Sequence, residues 1–151
     1  MRKILAAALL ACALLCAVPA SAALDENAIR AFYARLDEAA ARKDVAGVIA
    51  PISPTAEITV IVNNQVLRLN KAQYAKMVTD GLQAAENYRY KRVNTRIDMI
   101  GPAKAKVTAT VNESITVNGK TAHTRTDEES TVERINGALV ITSLTGSMTS
   151  Q

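Results

Sequence analysis

Residues 104–117 read KAKVTATVNESITV, residues 120–135 read KTAHTRTDEESTVERI, and an Asn118-Gly119 pair stands between them. A second pair, Asn136-Gly137, separates the latter run from ALVITSLT at 138–145. Apolar and polar residues alternate along each run, the period of a strand with one buried face. Asn-Gly supplies the positive φ that both central residues of a type I′ turn need, so each pair predicts a tight antiparallel hairpin. Register follows from the turns. Val117 should face Lys120, and Ala105, Val107, Ala109, Val111 and Ile115 should share a face with Val132, Ser130, Glu128, Thr126 and Ala122. The second turn extends that face to Leu139, Ile141, Ser143 and Thr145. Upstream, a turn at Gly101–Ala103 adds Met99, Ile97, Thr95, Val93 and Lys91, and sets Asp98 opposite Lys106 as an ion pair on the other face.

Outward from this meander the periodicity changes. Ile29, Phe32, Tyr33, Leu36, Ala39 and Ala40 recur at helical spacing between Asp25 and Lys43, with Asp25 as cap. Asp44–Ala50 reads as a short second helix stopped by Pro51 and Pro54. Ala56–Val62 and Gln65–Leu69 flank Asn63-Asn64 as a short hairpin. Asn70 and Gln73 form a capping-box pattern for a third helix, whose expected buried stripe is Tyr74, Met77, Val78 and Leu82. Four long strands follow: Tyr88–Ile100, Lys104–Val117, Lys120–Ile135 and Ala138–Thr145.

The N-terminus carries a different signal. Arg2 and Lys3 precede an uncharged run from Ile4 to Val18, and Ala20-Ser21-Ala22 closes it as a small-x-small cleavage site. A signal peptide at 1–22 and a single domain at 23–151 are expected, with Ala23 the neighbouring cleavage point and an uncleaved anchor or lipidation at Cys12 the alternatives. The expected location is periplasmic or secreted. Both cysteines, Cys12 and Cys16, lie in the leader, which leaves a mature chain without disulfides or thiolate chemistry. Removing Arg2 and Lys3 from 18 basic residues leaves 16 against 14 acidic ones, a charge of +2 that argues for neither nucleic acid nor, after cleavage, membrane as partner.

Helix, short helix, hairpin, helix and four-stranded meander resemble the nuclear transport factor 2-like superfamily (SnoaL-like, ketosteroid isomerase-like) from about Leu24 to Thr145, with Ile29–Leu36 and Asn70–Leu82 carrying the likeness. The resemblance implies an α+β cone: N-terminal helices packed in a strongly curved antiparallel sheet of four long strands plus a short hairpin, with a pocket at the open end. That superfamily holds isomerases, dehydratases, cyclases and noncatalytic subunits, so fold alone selects no activity. Its enzymes commonly place an acidic group before the first strand, whereas Ile49–Ala56 holds no titratable side chain.

Glu128, opposite Ala109 on the expected inner face, is the candidate pocket acid or base, unless a bulge in Asp127–Glu129 turns it outward. Lys91 and Glu113 should meet as a cross-strand pair near the rim. Tyr33 and Tyr74 can present phenols to a ligand. His123, the single histidine, falls on the outer face opposite Ser114. No metal and no cofactor are expected from such a set. Tyr88–Arg92 interleaves aromatic and basic groups, which reads as an alternating strand with a solvated edge. An inner face of Ala, Val, Ile and Thr offers little stacking and suits a small apolar or amphipathic molecule. The expected function is a noncatalytic exported domain that binds such a ligand or a protein partner. The alternative is an isomerase, dehydratase or hydrolase that uses Glu128, with Tyr33 as donor. A homodimer through the outer sheet face, with Arg92, Arg96, Arg125, Asp127 and Glu129, is the third option.

Overall fold

A computed structural model describes residues 23–151. The expected leader lies outside the described residues. Helices α1 (Glu26–Ala41) and α2 (Val45–Ile49) lead into β1 (Ile52–Val62) and β2 (Gln65–Leu69), then α3 (Lys71–Ala84) and strands β3 (Asn87–Gly101), β4 (Lys104–Val117), β5 (Lys120–Ile135) and β6 (Ala138–Ser150). The six strands form one sheet in the order β2-β1-β6-β5-β4-β3, antiparallel except where β1 runs parallel to β6. This is the expected α+β arrangement of helices followed by a curved, unclosed sheet.

Local chemistry sets the boundaries. Asp25 accepts from the Ala28 amide at 2.7 Å, and Asn70 and Gln73 cap α3 reciprocally at 2.8 and 2.9 Å. Asn118-Gly119 and Asn136-Gly137 adopt positive φ at both positions, as does Asn63-Asn64. The β4–β5 register is the expected one throughout, from Val117 opposite Lys120 to Lys104 opposite Glu133. Along that ladder Ala105, Val107 and Val132 are fully buried, whereas Ile115 is half-buried and Ala122 exposed. The inner face therefore runs from a closed core to an open mouth. Ile29, Phe32 and Tyr33 of α1 fill the closed end with Ile52, Ile58, Val60, Ile141 and Leu144. Phe32 and Tyr33 meet edge to face, 5.3 Å between ring centres.

Two bulges correct the predicted register. In β3, Arg96 pairs with Thr108 but Val93 pairs with Thr110, so β3 carries one extra residue, and Asn94 sits there at φ 55°. One added residue reverses the facing of everything beyond it. Tyr88, Tyr90 and Arg92 consequently turn inward, while Lys91 is exposed opposite Asn112 and never meets Glu113. Arg92 likewise leaves the outer face assigned to it. In β6, Thr142 is the extra residue between the pairs Val132–Ile141 and Thr131–Ser143. Leu144 thereby becomes buried, and Gly146, not Thr145, stands opposite Glu128.

Smaller departures have equally local causes. β1 begins at Ile52, earlier than predicted, because its pairing with β6 is irregular between Ile52 and Glu57 and leaves room for Pro54. β6 extends past Thr145 to Ser150. Met77 is exposed on α3, outside the buried stripe. Asp98 does stand opposite Lys106, yet it pairs with Arg96 at 2.9 Å while Lys106 reaches Glu129 at 2.7 Å.

Candidate functional site

The inward turn of β3 brings a cation into the cone. The Arg92 side chain is 4% exposed and lies among α1, β3 and β5. Its Nε donates to Asp37 Oδ1 at 2.8 Å, its Nη1 to Glu128 Oε1 at 2.8 Å and its Nη2 to the Tyr90 hydroxyl at 2.8 Å. Tyr90 in turn donates to Asp37 at 3.1 Å. The guanidinium lies 4.8 Å from the centre of the Tyr33 ring. Tyr33 shares a 2.5 Å hydrogen bond with Ser130 Oγ. Tyr33 and Asp37 are one helical turn apart and so present to the same side. Glu128 and Ser130 are two apart on β5 and share its inner face.

A second polar group lies toward the mouth. The Tyr88 hydroxyl donates to Glu113 Oε1 at 2.5 Å. Across from Glu113 and Val111, the hydroxyls of Thr124 and Thr126 are buried without a hydrogen-bond partner among the described residues. Gly146 lets β6 pack close against Thr126, since a Cβ there would come within 3.2 Å of the Thr126 methyl.

Electrostatics in this interior follow from burial. Burial alone would pull the Arg92 guanidinium down, but Glu128, Tyr90 and Asp37 outweigh that and hold its pKa above the ordinary value. Burial pushes the phenols of Tyr33 and Tyr74 up, and nearby Glu128 adds to both shifts. Burial likewise raises Tyr90, opposed by Arg92, and raises Tyr88, reinforced by its bond to Glu113. All four tyrosines of the chain thus stay protonated donors over the physiological range. Asp37 and Glu128 each have an oxygen already occupied by a charged N–H of Arg92, so neither stands free in the interior.

Of the residues singled out in the sequence, Tyr33, Tyr74, Glu113 and Glu128 belong to the interior. Lys91 does not, and His123 is exposed opposite Ser114 as expected. Arg92, Asp37, Tyr88, Tyr90 and Ser130 were missed. Asn94, an αL-tolerant residue in mid-strand, was the available signal for three of them. The expectation of an interior with little aromatic surface is corrected by the same shift, since Tyr88 and Tyr90 join Tyr33 and Tyr74. Among the described residues, no group of three or more His, Asp or Glu side chains is placed to hold a metal ion. No described helix is long and apolar enough to cross a membrane.

A cavity of about 700 Å³ lies elsewhere, outside the cone, between α1, α2 and the β5–β6 turn. Phe32, Leu36, Pro51 and Leu139 give it an apolar lining, and Arg35, Arg42 and Arg134 reach it as cations. A shallower depression of about 340 Å³ on the sheet is lined by Asn94, Thr108, Asp127 and Thr145, among others.

No protein-family model matches this chain, and no curated protein matches it in sequence. Solved structures do match. A candidate scytalone dehydratase from Novosphingobium aromaticivorans superposes with a TM-score of 0.69 at 14% identity, covering 82% of this chain and 83% of that one. A nuclear transport factor 2-like protein of unknown function from Pseudomonas putida gives 0.66 at 14% identity, over 81% and 84%. A hexachlorocyclohexane dehydrochlorinase from Novosphingobium barchaimii gives 0.66 at 15% identity, over 83% and 88%. The chain has the nuclear transport factor 2-like fold.

Proposed function

We propose that this nuclear transport factor 2-like chain is an exported, noncatalytic domain that binds a small amphipathic ligand or a protein partner. The observation that carries the reading is Arg92. It occupies the interior and engages both Asp37 and Glu128, the acids best placed to act as bases there. Tyr33, the expected donor, is likewise engaged by Ser130. Export rests on the leader pattern of residues 1–22, and a homodimer through the outer sheet face belongs to the same proposal.

Organic extraction and native mass spectrometry of the exported protein should recover a small amphiphile, or affinity capture a partner. A screen for elimination, isomerisation and hydrolysis should show no turnover. Turnover abolished by Glu128→Gln or Asp37→Asn would sink the noncatalytic reading.

A second reading has its own observation. Among the described residues Glu113 is engaged only by a phenol, and two partnerless threonine hydroxyls stand across from it and Val111. A dehydratase or dehydrochlorinase activity, as named for two of the similar structures, would use this mouth rather than Glu128. Turnover lost in Glu113→Gln but kept in Glu128→Gln would establish it.

A further inference from the structure

We infer that the cavity between α1, α2 and the β5–β6 turn is a binding site for a single-chain aliphatic carboxylate, with the head on the arginines and the chain over Phe32, Leu36, Pro51 and Leu139. The site is separate from the cone interior and stands whether or not that interior is catalytic.

Charge availability carries the inference first. Arg35, Arg42 and Arg134 line one cavity, and none lies within 4.0 Å of a carboxylate among the described residues. Arg30, by contrast, spends its charge on Glu26 one turn earlier in the same helix. Glu38 is one turn from both Arg35 and Arg42, is exposed, and pairs with neither. Asp44, the only carboxylate lining the cavity among the described residues, accepts from the Gly47 amide at 3.0 Å as the cap of α2. Three cations therefore face one carboxylate that is already engaged.

A buried donor without a partner is the second observation. Arg134 Nη1 donates to the Gly137 carbonyl at 3.2 Å, which fixes the guanidinium against the turn, but its Nε–H is buried with no partner among the described residues. An orphaned N–H costs about 1–3 kcal/mol unless something accepts from it. A carboxylate is the planar acceptor that a guanidinium fork matches in two places at once.

Shape and lining select the rest of the molecule. About 700 Å³ falls within the roughly 300–1,000 Å³ of small-molecule sites. The lining apart from the charged groups is aliphatic or aromatic, with Ala28, Ala31 and Ala39 of α1 leaving a smooth wall. A bare anion would leave that surface wet, and a neutral chain would leave the arginines unanswered.

Calorimetric titration of residues 23–151 with dodecanoate below its micelle concentration tests the site. Dodecanoate should bind with one-to-one stoichiometry, dodecanol at least about tenfold more weakly, and acetate not measurably. Arg134→Gln and the double variant Arg35→Gln/Arg42→Gln should each weaken dodecanoate by about tenfold or more, and Arg89→Gln, at an exposed position on β3, should not. Circular dichroism checks folding, and the exposed double variant keeps the test decisive if Arg134→Gln unfolds. Equal affinity for dodecanol, unchanged affinity in the folded double variant, or absence of dodecanoate binding would overturn the inference. Binding to phosphatidylglycerol vesicles without binding to monomeric dodecanoate would overturn it too. Turnover in the activity screen would leave it untouched.

Discussion

Helix α1 separates two arginine sites that use the same chemistry to opposite ends. On its sheet side, Tyr33 and Asp37 face Arg92, whose donors reach two carboxylates and a phenol. On its other side, Phe32, Arg35 and Leu36 line a cavity whose three guanidiniums have no carboxylate partner among the described residues. The interior has its cation fully engaged by two acids and is built to hold shape. The outer cavity keeps its charge available and is built to receive something. A residue type does not mark a site; the unspent valence of that residue does.

The contrast breaks most visibly at Arg92. Arg92→Met removes the partner of two partly buried acids, Asp37 at 30% and Glu128 at 16% side-chain exposure. Breaking a buried pair on one side typically costs about 3–5 kcal/mol, and the partial exposure here places the expected loss near the lower end. Urea unfolding should show it, whereas Arg35→Gln should stay within about 0.5 kcal/mol because nothing is left unpaired. A loss of the same size in both variants would erase the distinction between the two sites.

Alkaline pH sharpens it. Tyr33, Tyr74, Tyr88 and Tyr90 are all pushed above the ordinary phenol value of 10.0, burial being the leading cause for each. A raised pKa in the folded state means that the unfolded chain loses its proton first. The stabilisation is therefore complete below about pH 10 and drains as pH rises beyond it. Unfolding followed by circular dichroism, with tyrosinate absorbance alongside, should show ionisation coupled to loss of structure. The outer cavity holds no tyrosine, so dodecanoate binding should persist up to that unfolding. Tyrosinate forming in a still-folded protein would show the phenols to be accessible.

The turns were legible and the bulges were not, for a definite reason. Asn118-Gly119 and Asn136-Gly137 fix their hairpins through backbone conformations that few other residues adopt, so strand order and the β4–β5 register could be read directly, while the facing of Glu128 waited on the absence of a bulge at Asp127–Glu129. A bulge adds one residue without changing composition. In β6 the trace was there: apolar Leu139 and Ile141 are followed by Leu144, one step out of phase, and the extra residue at Thr142 restores it. In β3 the alternation Ile97, Thr95, Val93 continues plausibly past the bulge and hides it. Arg92 thus read as an outer-face charge, and with it went the partners of Asp37 and Glu128. Arg35, Arg42 and Arg134 come from segments that only tertiary packing brings together.

Asn94 is where that hidden step can be tested, with the smallest effect of the set. At φ 55° a β-branched side chain is strained by roughly 1–2 kcal/mol, while Gly adopts the conformation freely. Asn94→Val therefore faces two outcomes: bear that strain, or erase the bulge and swing Arg92, Tyr90 and Tyr88 outward. The second would strand Asp37 and Glu128, at the larger loss expected for Arg92→Met. Strain is the cheaper alternative, so the bulge should hold. Asn94→Val should be about 1–2 kcal/mol less stable than Asn94→Gly in urea. It should also retain the alkaline profile of the parent, because its tyrosines remain buried. A Val variant that falls below the Gly variant by the larger loss expected for Arg92→Met, with phenols that titrate near pH 10, would show that β3 runs straight once Asn94 is gone.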